Sequence, residues 1–186
     1  MARIFIIRHG ETTDNKEKTF SGKRDVDLTE EGIAEAKRIG EELKSEKFTK
    51  AYQSSQTRSK HTLELVLNGH HPDTQVITDD RIRERDYGDL TGQSKVETEK
   101  QDPTQFKLWH RSYDVPPPNG ESIKDVEERV MGFLYDVLPK LALSDVVLIS
   151  AHGNSIRPMR KYFEHLTNEE MSSFEHTPGK IYKYEV

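Results

Sequence analysis

The sequence contains no cysteine. This absence excludes disulfide bonds and thiolate chemistry. No apolar run approaches the roughly 18 residues that a membrane-spanning helix requires, and the first residues lack the pattern of a secretory signal peptide. We therefore expect a cytoplasmic protein.

An excess of positive charge is also missing, because 28 Lys and Arg residues face 33 Asp and Glu residues, with a net charge of -5. This balance is typical of a well-solvated surface and argues against nucleic-acid or membrane partners. The length of 186 residues suits one hydrophobic core, so we expect a single domain over residues 1–186. Composition leaves a homo-oligomer open.

Apolar runs alternate with amphipathic stretches along the chain. Strands are predicted at 4–7, 50–52, 75–78, 146–150 and 180–186. Helices are predicted from Thr29, after a cap at Ser54-Ser55, from Ser122 to a break near Pro139, and twice after residue 152. This order predicts an α/β fold with a mostly parallel central sheet and helices on both faces, and the terminal strand is the candidate for an antiparallel edge.

A long polar segment at about 80–119 separates the third strand from the helix at Ser122. Insertions of this size are usually functional or act as lids. We expect it to cover the substrate.

Two histidines follow the most apolar strands. Arg8-His9-Gly10-Glu11 comes after residues 4–7, and His152-Gly153 comes after residues 146–149. Ligands of open α/β sheets bind in the crevice beyond the carboxyl ends of the strands. The two imidazoles are therefore predicted to share one site.

The residues near these histidines suit phosphoryl transfer. A neutral imidazole can attack phosphorus if cationic groups hold the phosphoryl oxygens. Arg8, Arg58 at a helix start and a protonated His152 are candidates for that task. The leaving oxygen needs a proton, and Glu84 is a candidate acid if its surroundings raise its pKa.

These residues resemble the histidine phosphatase superfamily and, within it, the bisphosphoglycerate-dependent phosphoglycerate mutases. The resemblance spans nearly the whole chain. It rests on Arg8 to Asn15, Phe20-Ser21-Gly22, Asp27-Leu28-Thr29, Arg58, Glu84 to Gly92, Lys95, Trp109 to Pro118 and Ala151 to Ser155.

The resemblance implies a role for each matching residue. His9 would be the phosphohistidine nucleophile and Glu84 the proton donor and acceptor, and Arg8, Arg58 and His152 would complete the catalytic pocket. The residues implied to bind substrate are Thr12, Asn15, Ser21, Gly22, Tyr87, Lys95, His110, Arg111, Gly153 and Asn154. It further implies 2,3-bisphosphoglycerate as priming phosphoryl donor and no metal.

We therefore predict interconversion of 2-phosphoglycerate and 3-phosphoglycerate. Two alternatives stay open at this stage. Phosphomonoesterases of the superfamily share the His-Arg-Glu-His core, and the short segment between Pro118 and Glu121 favours access of water. A silent phosphate-binding relative would lack a core group, and none is missing.

Three local patterns in the sequence bear on the predicted site and on a possible metal site. His110 stands where the mutases usually carry a second arginine, which could weaken carboxylate binding or make it depend on pH. Lys95 could instead lie on a solvated helix face, and Arg111 could pair with Asp114. His70, His71 and Asp73 form an exposed turn rather than a metal site.

Overall fold

The computed structural model describes residues 1–186 and places a five-stranded sheet at the centre. Its order is β3-β2-β4-β1-β5. Neighbouring strands run parallel except β5, which is antiparallel to β1 at the edge. The predicted sheet and its antiparallel edge are therefore confirmed. The strands are β1 (Arg3–Arg8), β2 (Lys50–Gln53), β3 (Gln75–Thr78), β4 (Val146–Ala151) and β5 (Ile181–Glu185).

Eight α-helices surround the sheet or lie beside it. They are α1 (Thr13–Lys16), α2 (Glu30–Leu43), α3 (Thr57–Leu67), α4 (Lys95–Gln101), α5 (Pro103–Arg111), α6 (Ile123–Val137), α7 (Gly153–Glu164) and α8 (Asn168–Ser173). None of these helices has both the length and the apolar character needed to cross a membrane.

The side chains of β1 are buried on both faces of the sheet, because successive residues point in opposite directions and helices pack on each side. Ile4 and Ile6 pack with α6 and α7, in a cluster that includes Phe133 and Met159. Phe5 and Ile7 belong to a second cluster with residues of α2 and α3. Helices therefore cover both faces, as the uninterrupted apolar runs predict.

The start of α3 differs from the prediction. Its N-cap is Gln56, whose side chain makes no capping bond, whereas Ser54 and Ser55 were expected to cap it. The Thr57 N–H instead donates to Asp25 Oδ1 at 2.7 Å. A carboxylate from a distant loop thus satisfies the helix end, which local sequence cannot reveal.

The segment 80–119 is more regular than a polar loop. It holds 3₁₀ turns at Asp80–Ile82 and Gly88–Leu90, followed by α4 and α5. Its aromatic residues pack around the buried ring of Phe20. Farther on, α6 ends at Val137 and a 3₁₀ turn follows through Pro139, as expected.

Two glycines bring α2 against the loop that follows β1. A Cβ on Gly32 would lie 2.2 Å from the carbonyl oxygen of Glu11, and one on Gly10 would lie 2.4 Å from the carbonyl oxygen of Gly32. Neither separation is compatible with a side chain. The backbone just after His9 is therefore fixed directly against the first turn of α2.

Candidate active site

His9 and His152 converge because β1 and β4 are neighbours in the sheet. Arg8 is in register with Ala151, and the His9 N–H donates to the carbonyl oxygen of Ala151 at 3.0 Å. His9 directly follows Arg8 and His152 directly follows Ala151, so both histidines lie just beyond the same end of the two paired strands. Their ring centroids are 5.0 Å apart and both side chains are buried, so the predicted convergence is confirmed.

One hydrogen bond determines the tautomer of His9. Its Nδ1 lies 2.8 Å from the carbonyl oxygen of Gly10, and a carbonyl can only accept. We therefore assign the proton to Nδ1, which leaves the lone pair of Nε2 available. Burial, together with His152, Arg8 and Arg58, lowers the pKa of His9 well below its ordinary value. The ring is neutral at physiological pH and suited to nucleophilic attack.

Three buried nitrogens of this cluster lack a protein acceptor. They are Nε of Arg8, Nε of Arg58 and Nδ1 of His152. The other nitrogens of Arg58 are engaged, since Nη1 and Nη2 donate to the carbonyl oxygens of Arg24 and Gly22. Unsatisfied buried donors are costly. Cationic donors in this state favour an anion bound among them.

His152 is held by a serine that the sequence did not suggest. Its Nε2 lies 2.7 Å from Oγ of the fully buried Ser54. Burial and the guanidinium groups of Arg58, Arg129 and Arg8 lower its pKa well below the ordinary value. His152 is therefore neutral in the free protein, so the protonation on which its predicted donor role depended is absent there. A neutral ring that accepts from Ser54 still offers Nδ1–H as a donor.

Glu84 is ionised rather than protonated. Burial alone would raise its pKa, but the Arg85 N–H, the Arg58 guanidinium and the Asn154 amide outweigh it and lower the pKa to about 2. Its Oε1 accepts from the N–H of Arg85 and from both nitrogens of Asn154, so Oε2 is left free of protein hydrogen bonds. The condition under which Glu84 would be an acid, a raised pKa, is thus not met in the free protein, where Glu84 is a base.

A cavity of about 160 Å³ opens beside this cluster, and only one of its fourteen lining residues is hydrophobic. Ten of the residues singled out from the sequence line it: Arg8, Asn15, Ser21, Glu84, Tyr87, Lys95, His110, Arg111, Gly153 and Asn154. Glu84 connects it to the histidines, since ligand atoms of His9, Glu84 and His152 lie within 4.8 Å of one another. Such a polar cavity suits a small anion.

Thr12 and Gly22 do not line the cavity. Thr12 is fully buried and caps α1 through its contacts with Asn15. Gly22 has a positive φ of 49°, and its carbonyl oxygen accepts from Arg58 and from the side chain of Gln56. Thr12 thus holds Asn15 and Gly22 holds Arg58, so both residues support side chains of the site without lining the cavity.

Lys95 and His110 are less solvated than surface residues. Burial lowers the pKa of Lys95, whose Nζ lies 5.4 Å from the centre of the Phe20 ring, so a freely solvated helix face is excluded. Burial and the cations of Arg111 and Lys95 lower the pKa of His110 to about 3. His110 is therefore neutral near pH 7, and the expectation that its titration tunes carboxylate binding is wrong.

Four residues of the cavity wall were not predicted from the sequence: Thr19, Arg157, Glu175 and His176. Arg157 follows Gly153 by four residues on α7, and this helical spacing could have indicated a shared face. Glu175 and His176 follow α8 and reach the cavity only through the tertiary fold. Arg111 pairs with Glu175 at 2.6 Å and not with Asp114.

The cluster of His9, Glu84 and His152 also has the spacing of a metal site. The guanidinium groups of Arg8 and Arg58 lower the pKa of His9, and the same positive field opposes a bound cation. An anion suits these surroundings better.

Elsewhere, His71 is buried, with its ring centroid 5.0 Å from that of Phe48, rather than exposed in a turn, and His70 contacts Glu41.

Comparison with known proteins gives a consistent result at the level of sequence. The model of the histidine phosphatase superfamily (branch 1) matches residues 4–186. The 2,3-bisphosphoglycerate-dependent phosphoglycerate mutase of Methylobacterium sp. is 40% identical over 181 residues, which cover 94% of this chain and 87% of the relative. The protein of the same name from Rhizobium etli is 43% identical over 171 residues, covering 89% and 81%.

Solved structures share the fold. Bacillus stearothermophilus YhfR superposes with a TM-score of 0.90 at 27% identity, covering 100% of this chain and 92% of its own. The alpha-ribazole phosphatase from Shigella flexneri gives a TM-score of 0.82 at 24% identity, covering 97% and 89%. The latter similarity concerns the fold alone.

Proposed function

The chain belongs to branch 1 of the histidine phosphatase superfamily, and on this premise we propose that it is a 2,3-bisphosphoglycerate-dependent phosphoglycerate mutase. It would interconvert 2-phosphoglycerate and 3-phosphoglycerate through a phosphohistidine at His9. The curated relatives at 40% and 43% identity carry that name. We further propose a cytoplasmic location.

The observation that carries this proposal is the set of unsatisfied buried donors around a neutral imidazole. Nε of Arg8, Nε of Arg58 and Nδ1 of His152 lack protein acceptors, while Nε2 of His9 keeps its lone pair. A phosphoryl group has three oxygens to receive such donors and a phosphorus atom for the lone pair to attack. The pocket requires no metal ion to neutralise the phosphoryl charge.

2,3-Bisphosphoglycerate supplies the first phosphoryl group and so primes His9. In the first half-reaction, the free hydroxyl of the bound phosphoglycerate attacks the phosphorus of the phosphohistidine. An O–P bond forms, the N–P bond to Nε2 of His9 breaks, and the Glu84 carboxylate accepts the proton of the hydroxyl. In the second half-reaction, Nε2 attacks the other phosphorus of the resulting bisphosphoglycerate, the N–P bond forms again, that P–O bond breaks, and the leaving oxygen takes the proton back from Glu84.

The ionised state of Glu84, whose pKa is lowered to about 2 in the free protein, suits the first half-reaction, in which it accepts the proton of the attacking hydroxyl. The negative phosphoryl groups of the bound substrate raise the pKa of the neighbouring carboxyl, because like charges disfavour ionisation. Glu84 therefore holds the accepted proton until it returns it to the leaving oxygen in the second half-reaction.

The remaining cavity residues would hold the parts of the substrate that do not react. Lys95 and Arg111 bring positive charge for a carboxylate or a second phosphate, and we propose residues 80–119 as the covering segment of a single domain over 1–186. Asn15, Ser21, Tyr87, His110, Gly153 and Asn154 would complete the binding surface, with Thr12 and Gly22 supporting it.

A phosphomonoesterase is the second candidate, and one observation favours it. The turn between Pro118 and Glu121 packs on the chain near Asp86, to whose carbonyl oxygen the Glu121 N–H donates. No residue between 112 and 152 lines the cavity. A site left open on that side would admit water as the acceptor in place of a hydroxyl.

The test compares isomerisation of 3-phosphoglycerate, with and without 2,3-bisphosphoglycerate, with release of inorganic phosphate. A mutase isomerises faster than it hydrolyses and depends on the primer. His9→Ala is expected to abolish both rates by several orders of magnitude and to eliminate the acid-labile phosphoenzyme. The control is His70→Ala, which removes an exposed imidazole. Rapid hydrolysis with negligible isomerisation would establish the phosphatase instead.

A further inference from the structure

The outer part of the cavity contains an ion pair between Arg111 and Glu175, and the proposed reaction gives Glu175 no role. Nη2 of Arg111 lies 2.6 Å from Oε1 of Glu175. The Arg111 side chain is 28% exposed and that of Glu175 is 76% exposed. Both residues line the cavity. A carboxylate of the protein therefore already occupies the guanidinium that would receive a carboxylate of the substrate.

Glu175 also acts on two other cations of the same wall. Burial lowers the pKa of Arg157 to about 10 and also lowers that of Lys95, and in both cases the charge of Glu175 opposes the shift. Arg157 is only 2% exposed, and its Nη1 donates to the carbonyl oxygens of Met171 and Ser172 rather than to a carboxylate. Glu175 thus partly balances a group of cations.

We propose that Glu175 is a specificity-determining residue, which holds the carboxylate position at Arg111 in the free enzyme and must leave before an acidic substrate binds there. The inference rests on the proposed function, because that function supplies a substrate with a carboxylate. Phosphate esters without a second anionic group need not displace Glu175. The residue therefore weakens binding of carboxylated esters relative to neutral ones.

The two partners differ in how firmly they are held. Arg111 is the last residue of α5, whereas Glu175 lies between α8 and β5 outside any helix or strand. An exposed ion pair contributes little to stability, because solvent screens the charges and ordering two long side chains costs entropy. Substrate can therefore exchange one carboxylate for another at Arg111, while Glu175 moves toward solvent. The expected influence on affinity is correspondingly a few-fold.

The experiment uses two ligands that differ in one group. 3-Phosphoglycerate has a carboxylate where glycerol 3-phosphate has a hydroxymethyl group. Titration calorimetry is carried out on the full chain with His9→Ala, so that neither ligand turns over, with and without Glu175→Gln. The control is Glu169→Gln, which removes an exposed carboxylate from the first turn of α8.

Glu175→Gln is expected to tighten 3-phosphoglycerate about threefold to fivefold and to change the dissociation constant of glycerol 3-phosphate less than twofold. Glu169→Gln should affect neither. In the enzyme that retains His9, Glu175→Gln should lower KM for 3-phosphoglycerate and leave kcat within twofold. Unchanged affinity for 3-phosphoglycerate, or an equal change for both ligands, would overturn the proposal.

This outcome is separable from that of the proposed function. The titrations measure affinity and require no turnover, so an enzyme that hydrolyses phosphoglycerate instead of isomerising it would still show the selective gain. Weaker binding of both ligands in Glu175→Gln would identify a structural role for the carboxylate and would contradict the inference, whatever reaction the enzyme catalyses.

Discussion

His9 and Glu84 share one cause of their lowered pKa values. Burial is the main cause at His9 and the Arg85 N–H is the main one at Glu84, and the Arg58 guanidinium contributes to lowering the pKa of both groups. A positive field keeps an imidazole neutral and a carboxyl ionised, because it disfavours the added proton in each case. One arrangement of cations thus prepares the nucleophile and the base together.

Ser54 is expected to position the imidazole of His152. Ser54→Ala removes the hydroxyl that lies 2.7 Å from Nε2 of His152, so the ring loses the contact that fixes its orientation and tautomer. We expect kcat to fall about tenfold, which corresponds to the loss of about 1.4 kcal/mol, the scale of one hydrogen bond. Steady-state kinetics measures the effect.

Ser55→Ala is the matched control, because Ser55 contacts Asp80 at the surface instead. Its kcat should stay within twofold of the wild-type value. Ser54→Thr keeps the hydroxyl and should recover part of the activity. An unchanged kcat in Ser54→Ala would contradict the positioning role.

For single residues, the sequence predicts which side chains meet in the site better than it predicts their protonation states. The convergence of His9 and His152 follows from two apolar strands and the direction of a parallel sheet. The ionised Glu84 and the neutral His110 depend on burial and on distant cations, and no local pattern contains these. The same limit applies to Ser54, whose partner lies 98 positions away.

The junction between β1 and α2 depends on the absence of a side chain at two positions. Gly32→Ala would place a methyl group 2.2 Å from the Glu11 carbonyl oxygen, so the loop after His9 must move. We expect the free energy of unfolding to fall by about 1–3 kcal/mol, the usual cost of overpacking. Urea denaturation measures this change.

Gly132 provides the opposite case within α6. Nothing lies within 4 Å of a Cβ at this position, so Gly132→Ala should raise the free energy of unfolding by up to about 1 kcal/mol through its helix propensity. If both substitutions change stability equally, the close approach at Gly32 is not what matters there.

The elements themselves were largely predictable, since apolar runs and capping residues mark most of their boundaries. A capping box at Thr167 and Glu170 marks the start of α8. The start of α3 was not predictable, because Asp25 satisfies it from another loop. The wall formed by Glu175 and His176 also depends on how the chain after α8 returns to the sheet.

Stability of the whole molecule should decrease in acid. The pKa values of five of the eight histidines are lowered in the folded protein: His9, His71, His110, His152 and His176. Burial is the main cause at each position. In the unfolded chain these rings take up protons below about pH 6.5, so the unfolded state binds more protons than the folded state.

The free energy of unfolding should therefore fall as the pH drops below about 6.5, by up to about 1.4 kcal/mol per unit for each proton taken up. We expect a loss of at least about 2 kcal/mol between pH 7 and pH 5, measured by urea unfolding. Glu84 extends the loss below pH 4.5, because its folded pKa is about 2.

Replacing a contributing ring reduces this dependence. His110→Gln should give a shallower slope than the wild-type chain, whereas the exposed His70→Gln should keep the wild-type slope. A stability that stays constant from pH 7 to pH 5 would show that the buried histidines become protonated without unfolding.

The place of β1 in the sheet has a consequence for synthesis of the protein. This first strand pairs with β4 and β5, which are translated long after it, and such distant partners make folding slow. A growing polypeptide carries His9 long before the strand that brings its second imidazole has emerged. Catalytic competence must therefore wait until β4 has been translated.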